Sequence, residues 1–277
     1  MSHAPLRINV VTIFPGYFAT PLSLSIPHKA QLAGSVTYNV VDLRDFTHDR
    51  HRTVDDYPFG GGPGMVMKPA PFFEAVESLG ASAPIVLLSP RGRRFAHADA
   101  VRFAAGTQLT LLCGHYKDVD ERVAQHLATE ELSLGDFVLS GGESAALAII
   151  DATVRLLPGA MSDLDSARGD SFYGRGISAP SYTRPAIYRD FNVPDVLTGG
   201  DHSRIDAWRT EESLRRTREA ETRDRAEWLE RERTATERDA ALADVERLAA
   251  EKAARRARKK ARGKLHNNSP DQSAEHE

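Results

Sequence analysis

Cysteine occurs once in 277 residues, at Cys113. No disulfide can close within the chain, which excludes a disulfide-stapled secreted fold and fits a reducing cytoplasm. Cys113 ends the apolar run LTLLCG, the setting of a buried strand residue. Long hydrophobic runs are missing too. None approaches the ~20 residues that a membrane span requires, and the apolar N-terminal run, broken at Pro15-Gly16, makes a poor signal peptide. No membrane partner is expected. The G-x-G-x-x-G loop of dinucleotide-binding folds does not follow the first strand-like run, which leads instead into FPGYF. An excess of positive charge is also lacking. The formal net charge is −3, so any polyanion site in the body of the chain must be a local patch.

With 41% hydrophobic and 27% charged residues, the chain can bury a sizeable core as one or two domains. RINVVTIF (Arg7–Phe14) is an apolar, β-branched run, the mark of a strand buried on both faces of a parallel sheet. Further strands are expected at Val36–Leu43, Pro84–Leu88, Leu109–Cys113 and Phe137–Leu139. Helices are expected at Leu24–Ala33, Ala70–Leu79, Asp99–Ala105, Asp118–Leu127 and Gly142–Leu157. This alternation predicts an α/β domain over residues 1–160. Residues 161–181 are rich in Gly, Ser and Asp and read as a flexible linker. Asp201–Arg262 contains neither Gly nor Pro and is expected to be helical. Ile205, Trp208 and Leu214 would anchor a small packed domain over 182–220, followed by a charged helical extension over 221–262. The tail 263–277 reads as disordered.

Three loops that carry glycine or serine follow apolar strands: Leu88-Ser89-Pro90 with Arg91-Gly92, Gly114-His115-Tyr116, and Leu134–Gly142. Ligands of parallel sheets sit outside the carboxyl ends of strands, so the three can converge on one small-molecule pocket; taken singly, each reads as well as a plain turn. A different stretch, Asp45–Pro69, sets His48, Arg50, His51 and Arg52 ahead of Gly60-Gly61-Gly62-Pro63-Gly64. Cations followed by exposed backbone N–H groups suit phosphate and close approach of a flat base. A solvated charged loop is the plainer alternative. His48 and His51, at i and i+3 of a helical turn, also admit a metal site, but no third ligand is evident.

The strings DFTHDRHRTVDDYPFGGGPGM, LSPRGR, LLCGHYKDVDERV, LGDFVLSGGE, DSF and SYTRP, in this order, resemble the bacterial tRNA (guanine-N1)-methyltransferases of the TrmD family, over roughly residues 6–218. The resemblance implies a SPOUT-superfamily α/β domain with a deep trefoil knot and a small helical C-terminal domain that binds tRNA. It implies a homodimer with shared active sites and transfer of the methyl of S-adenosylmethionine to N1 of guanosine 37, beside the anticodon. The cofactor would be held by Leu88, Ser89, Pro90, Gly114, Ser133, Leu134, Gly135, Asp136, Phe137, Val138, Leu139, Ser140, Gly141 and Gly142, chiefly through backbone groups. Asp170, in DSF, would be the general base and Arg155 the group that steadies charge developing on O6. His48, Arg50, His51, Arg52 and Arg184 would touch the anticodon stem-loop, with Gly60, Gly61 and Gly62 bordering the base. The family is also associated with magnesium, for which no ligands can be named.

The chain departs from the family pattern in places. His115-Tyr116-Lys117-Asp118 replaces a common Arg-Tyr-Glu-Gly, Gly169 precedes Asp170 where an acid is usual, and Ser178 replaces a frequent acid. Lys117 in place of Glu would favour the cofactor's carboxylate over its amino group. Residues 211–250 hold 12 acidic and 9 basic side chains, and 251–264 hold 1 and 8. This extension reads either as a solvated helix laced by ion pairs or as a source of non-specific tRNA affinity. Two rival functions share the motifs in part: a non-catalytic RNA-binding protein on the same scaffold, and a knotted methyltransferase acting on ribose or rRNA. The first does not need Asp170 and Arg155, and the second is disfavoured by the HDRHRTVDD and SYTRP segments.

Overall fold

Five parallel strands form the central sheet of this computed structural model, which describes residues 4–161, 169–173, 176–233 and Arg247, with only backbone at 227–233. In spatial order they are β2 (Val36–Asp42), β1 (Leu6–Thr12), β6 (Gln108–Cys113), β5 (Ile85–Arg94) and β8 (Glu130–Ser133). β1 lies between two neighbours, Ile8 facing Tyr38 on one side and Leu109 on the other, which is why its sequence is apolar almost throughout. Side-chain alternation divides the core. Val86, Leu88, Leu109, Leu111 and Cys113 pack on one face with α1 (Ala19–Leu22), α2 (Ser25–Leu32), α4 (His97–Ala104) and α6 (Glu143–Val154). Ile85, Leu87 and Leu112 pack on the other with α3 (Pro69–Ser78) and α5 (Glu121–His126). Helices on both faces are what an all-parallel sheet requires.

A second, three-stranded sheet joins β3 (Asp55–Asp56), β4 (Val66–Met67) and β7 (Asp118–Val119). It ties the glycine-rich loop between β3 and β4 to the segment leaving β6.

Two expectations fail here. Phe137–Leu139 is not a strand: β8 ends at Ser133, whose hydroxyl donates to the Gly135 carbonyl and accepts from the Gly135 N–H, turning the chain out of the ladder. The apolar triplet lies in the loop beyond, with Val138 83% exposed. Conversely, β5 does not end at Leu88. It leaves the ladder at Ser89 and resumes at Arg93, and Leu88 and Arg93 both pair with Leu132.

The chain divides into two compact units, Met1–Ser178 and Ala179–Glu277. The second contains a short hairpin, Ile187–Tyr188 with Phe191–Asn192, then the helices Asp195–Thr198 and His202–Arg233. Ile205 is buried, and the Tyr182 and Trp208 rings lie 6.4 Å apart. Leu214 does not serve as an anchor; it is half exposed on the long helix. That helix is charged, with Arg215 reaching Glu212 and Glu219 at 2.6 Å each, solvent-screened pairs that add little to stability. The expected extension, 221–262, begins within this same helix; beyond Arg233 only its Arg247 is described, and the tail 263–277 lies outside the described residues.

Candidate active site

The break within β5 and the loops after β6 and β8 do meet. They line a cavity with about 720 Å³ of free space, part of it open to solvent. Leu88, Ser89 and Pro90 form one wall, Gly114 to Val119 a second, and Ser133, Leu134 and Phe137 to Gly142 the third. Gly135 and Asp136 fall outside the lining; Asp136 instead pairs with Arg94 on the resumed part of β5.

Backbone proximity makes this arrangement possible. A Cβ on Gly92 would lie 2.5 Å from the Glu131 carbonyl carbon, and one on Gly142 would lie 2.8 Å from the Cys113 Cα. The third loop crosses the second at the Gly142 N–H, which donates to the Gly114 carbonyl at 2.9 Å. Gly141 forms an isolated bridge with His115, and a Cβ there would meet both the Glu143 carboxylate and the His115 ring.

Glu143 was not singled out by sequence. It is 3% exposed at the start of α6 and accepts the Thr12 hydroxyl at 2.7 Å; the same Thr12 oxygen accepts the Phe14 N–H. It thus joins the third cavity loop to the end of β1. The available signal was an acid directly after Gly-Gly at a helix N-terminus, where the helix dipole favours negative charge. Burial, and then the nearby Glu143 charge, push the Cys113 thiol up, so it stays a neutral core group.

The proposed catalytic pair is assembled elsewhere in the same unit. Arg155 caps the C-terminus of α6, and its Nη2 lies 2.5 Å from Asp170 Oδ2. α6 starts at the cavity, so at 1.5 Å per residue this pair lies about 20 Å along the helix from Gly142. Both side chains are partly exposed.

The basic segment ahead of the glycines is a turn, not a helix, so His48 and His51 do not share a helical face. The turn wraps the Asp49 carboxylate, which accepts the His51 N–H, the Thr53 N–H and the Thr53 hydroxyl, each at 2.9 Å. These bonds, those from Thr53 foremost, hold the Asp49 carboxyl below the usual range. His48 reaches Glu74 at 2.8 Å and Arg52 pairs with Asp45, while Arg50 and His51 are exposed. Gly60 and Gly61 lie in open space, and Gly62 faces Lys117. Arg184 is exposed in the second unit.

The family model for tRNA (Guanine-1)-methyltransferase TrmD matches residues 6–226. The chain belongs to this family. It is 49% identical over 215 residues to the tRNA (guanine-N(1)-)-methyltransferase of Geobacillus kaustophilus, covering 76% of this chain and 88% of the relative. The protein of that name from Gloeobacter violaceus is 51% identical over 217 residues, 77% of this chain and 96% of the relative. That from Dehalococcoides mccartyi strain 195 is 48% identical over 216 residues, 76% of this chain and 87% of the relative.

Two departures of this TrmD-family chain have clear local settings. Ser178 takes up the Asp170 segment directly: its N–H donates to the Ser171 hydroxyl at 3.0 Å, and the two hydroxyls also lie 3.0 Å apart. The Phe172 N–H donates to the Gly176 carbonyl at 2.7 Å, and Phe172 itself has a φ of 70°. Lys117 lies on the cavity wall against the glycine-rich loop.

Proposed function

We propose that this chain transfers the methyl group of S-adenosylmethionine to N1 of guanosine 37 in tRNA, next to the anticodon, in the cytoplasm. The observation that carries this is the Arg155–Asp170 pair, set on a chain that also builds the three-loop cavity. The cavity suits the cofactor. Leu87, Leu88, Leu132 and Ala145 offer an apolar seat for a base, and the crossing glycines keep the wall at backbone level, where N–H and C=O groups can read a nucleoside. When bound, S-adenosylmethionine supplies an electrophilic methyl on sulfur.

Asp170 would accept the N1 proton, which makes the ring nitrogen a nucleophile. Arg155 holds the Asp170 carboxylate in place and offers its remaining N–H groups to the charge that develops on guanine O6. Arg155 lies about 20 Å along α6 from Gly142 and about 15 Å from Ala145, so Asp170, paired with it, is read as serving the donor of another chain. That separation supports a homodimer in which each site combines the cavity of one chain with the pair of its partner. The passage of Gly92 against Glu131 and the return of Gly142 against Cys113 support reading these loops as a trefoil knot. Residues 182–220, a short hairpin followed by helices and so not the all-helical domain expected, are read as the part that holds tRNA, with Arg184 on its surface. The resemblance also implies magnesium; among the described residues no group of three His, Cys, Asp or Glu side chains is gathered to hold one, and we assign it no ligands.

Asp170→Ala should lower methyl transfer by about 100-fold or more while leaving S-adenosylmethionine binding intact. Labelled donor and tRNA transcripts carrying or lacking guanosine 37 provide the assay. Full activity in the variant, or equal labelling of both transcripts, would refute the assignment.

A further inference from the structure

The cavity wall carries one permanent cation. Among the described residues lining it, Lys117 is the lone lysine or arginine, and no described carboxylate forms an ion pair with it. Its neighbour Asp118 is turned back onto the chain, accepting the Val119 N–H at 2.8 Å. Lys117 therefore presents an ammonium that no described ion pair holds, beside the Asp118 carboxylate on the same wall.

Its place is set by the backbone on both sides. The Lys117 N–H donates to the Met65 carbonyl at 3.1 Å, and Asp118 and Val119 then pair with Val66 and Met67. Just before it, Tyr116 takes a φ of 62°, a left-handed conformation that side-chain-bearing residues rarely adopt, and lines the cavity itself. The lysine stem lies on the glycine-rich loop. A Cβ on Gly64 would fall 3.2 Å from Lys117 Cβ, and one on Gly62 would fall 3.9 Å from Nζ. The glycines leave the room that the stem fills, and Lys117 remains among the residues that line the cavity.

We propose that Lys117 binds the carboxylate at the methionine end of the methyl donor, and so makes donor recognition in this chain depend on that charge. This rests on the reading of the cavity as the S-adenosylmethionine site. The donor bears an ammonium and a sulfonium, which a lysine repels, and a single carboxylate, which it attracts. The remaining lining is mostly backbone and apolar groups. Such a wall can seat a base and a ribose, but it has no other lysine or arginine for a carboxylate.

Calorimetric titration of S-adenosylmethionine and of its decarboxylated analogue, without tRNA, tests this on the wild-type protein and on Lys117→Met. The analogue keeps the amine and the sulfonium. The wild type should prefer the complete donor by about fivefold, as a half-exposed ion pair allows. Lys117→Met should abolish that preference by weakening the donor alone, and Lys117→Arg should restore it. An unchanged preference in Lys117→Met overturns the proposal, as does an equal loss for both ligands, which would mark a structural role. In a separate titration of tRNA into Lys117→Met at two salt concentrations, a shallower salt dependence with unchanged donor affinity would overturn it in favour of a phosphate contact. A wild type that binds neither ligand would overturn the cofactor reading itself, before any variant is compared.

Discussion

Glycines are crowded on the cavity side of the first unit, while Gly60 and Gly61 at the tip of the glycine-rich loop are not. A Cβ at Gly92 or Gly142 would strike backbone atoms at 2.5 and 2.8 Å, and neither glycine has a positive φ. Gly60 and Gly61 have φ of 81° and 77°, and a Cβ on either would meet nothing within 4 Å. In the first pair the missing side chain lets two stretches of backbone touch. In the second it lets one stretch turn left-handed. The cavity frame thus depends on space, the glycine-rich loop on conformation, and substitution should separate the two.

Gly92→Ala should have the largest effect. Both sides of the contact are backbone, β5 against β8, so relief requires moving a strand and not a side-chain tip. We expect a loss of about 3 kcal/mol of stability or more, together with loss of donor binding, since the same contact sets the wall at Ser89 and Pro90. Denaturant unfolding and calorimetry report the two effects. A cost below about 1 kcal/mol with donor binding retained would break the distinction.

A second contrast pits two aspartates against each other. Asp99, 6% exposed in the first turn of α4, accepts from Arg93 at 2.6 and 2.8 Å and from the Ala96 N–H at 3.0 Å. Arg93 lies just beyond the crossing and also reaches Glu130 at 2.7 Å, so this cluster fastens the resumed strand. The Arg93 guanidinium, foremost, holds the Asp99 carboxyl down to about 2. A depressed folded-state pKa gives stability that is complete above the unfolded value near 4 and lost as pH falls through about 2. Asp99→Asn should therefore cost about 2 kcal/mol at neutral pH, and the gap from wild type should close between pH 4 and pH 2. Asp49 on the basic turn is lowered as well, but it is exposed, and Asp49→Asn should leave global stability nearly unchanged. Unfolding curves across pH check both; equal losses would show that burial is not what separates the two sides.

The parallel sheet was legible because strands buried on both faces need unbroken apolar runs, and RINVVTIF is such a run. The meeting of three loops followed from the rule that ligands gather at the carboxyl ends of parallel strands. What escaped reading depended on partners distant in sequence. Arg93 and Arg94 look like loop residues, yet they continue β5 because Asp99, Glu130 and Asp136 receive their charge. Phe137–Leu139 looks like a strand, yet no neighbour offers it a ladder. Glu143 looks like an ordinary helix start, and only Thr12, 131 positions away, reveals it as a buried tie. The role proposed for Asp170 rests on resemblance to a family; its pairing with Arg155 has no local sequence signal.

The smallest effect is expected at Gly61. Its N–H closes a turn onto the Pro58 carbonyl at 3.1 Å, and its φ of 77° is one that alanine adopts at a cost of about 1 kcal/mol. Since nothing lies near the added methyl, the exposed loop can relax, and stability should fall by no more than about that amount. Donor binding should stay within about twofold of wild type, because Gly61 does not line the cavity. The consequence should fall on the acceptor: a loop shifted off its left-handed turn meets the base less well, raising KM for tRNA a few-fold with little change in kcat. Steady-state kinetics with varied tRNA, alongside donor titration, make the measurement. If Gly61→Ala instead weakens the donor as strongly as Gly92→Ala does, the glycine-rich loop belongs to the cavity frame, and conformation and space are not separate functions of the two glycine sets.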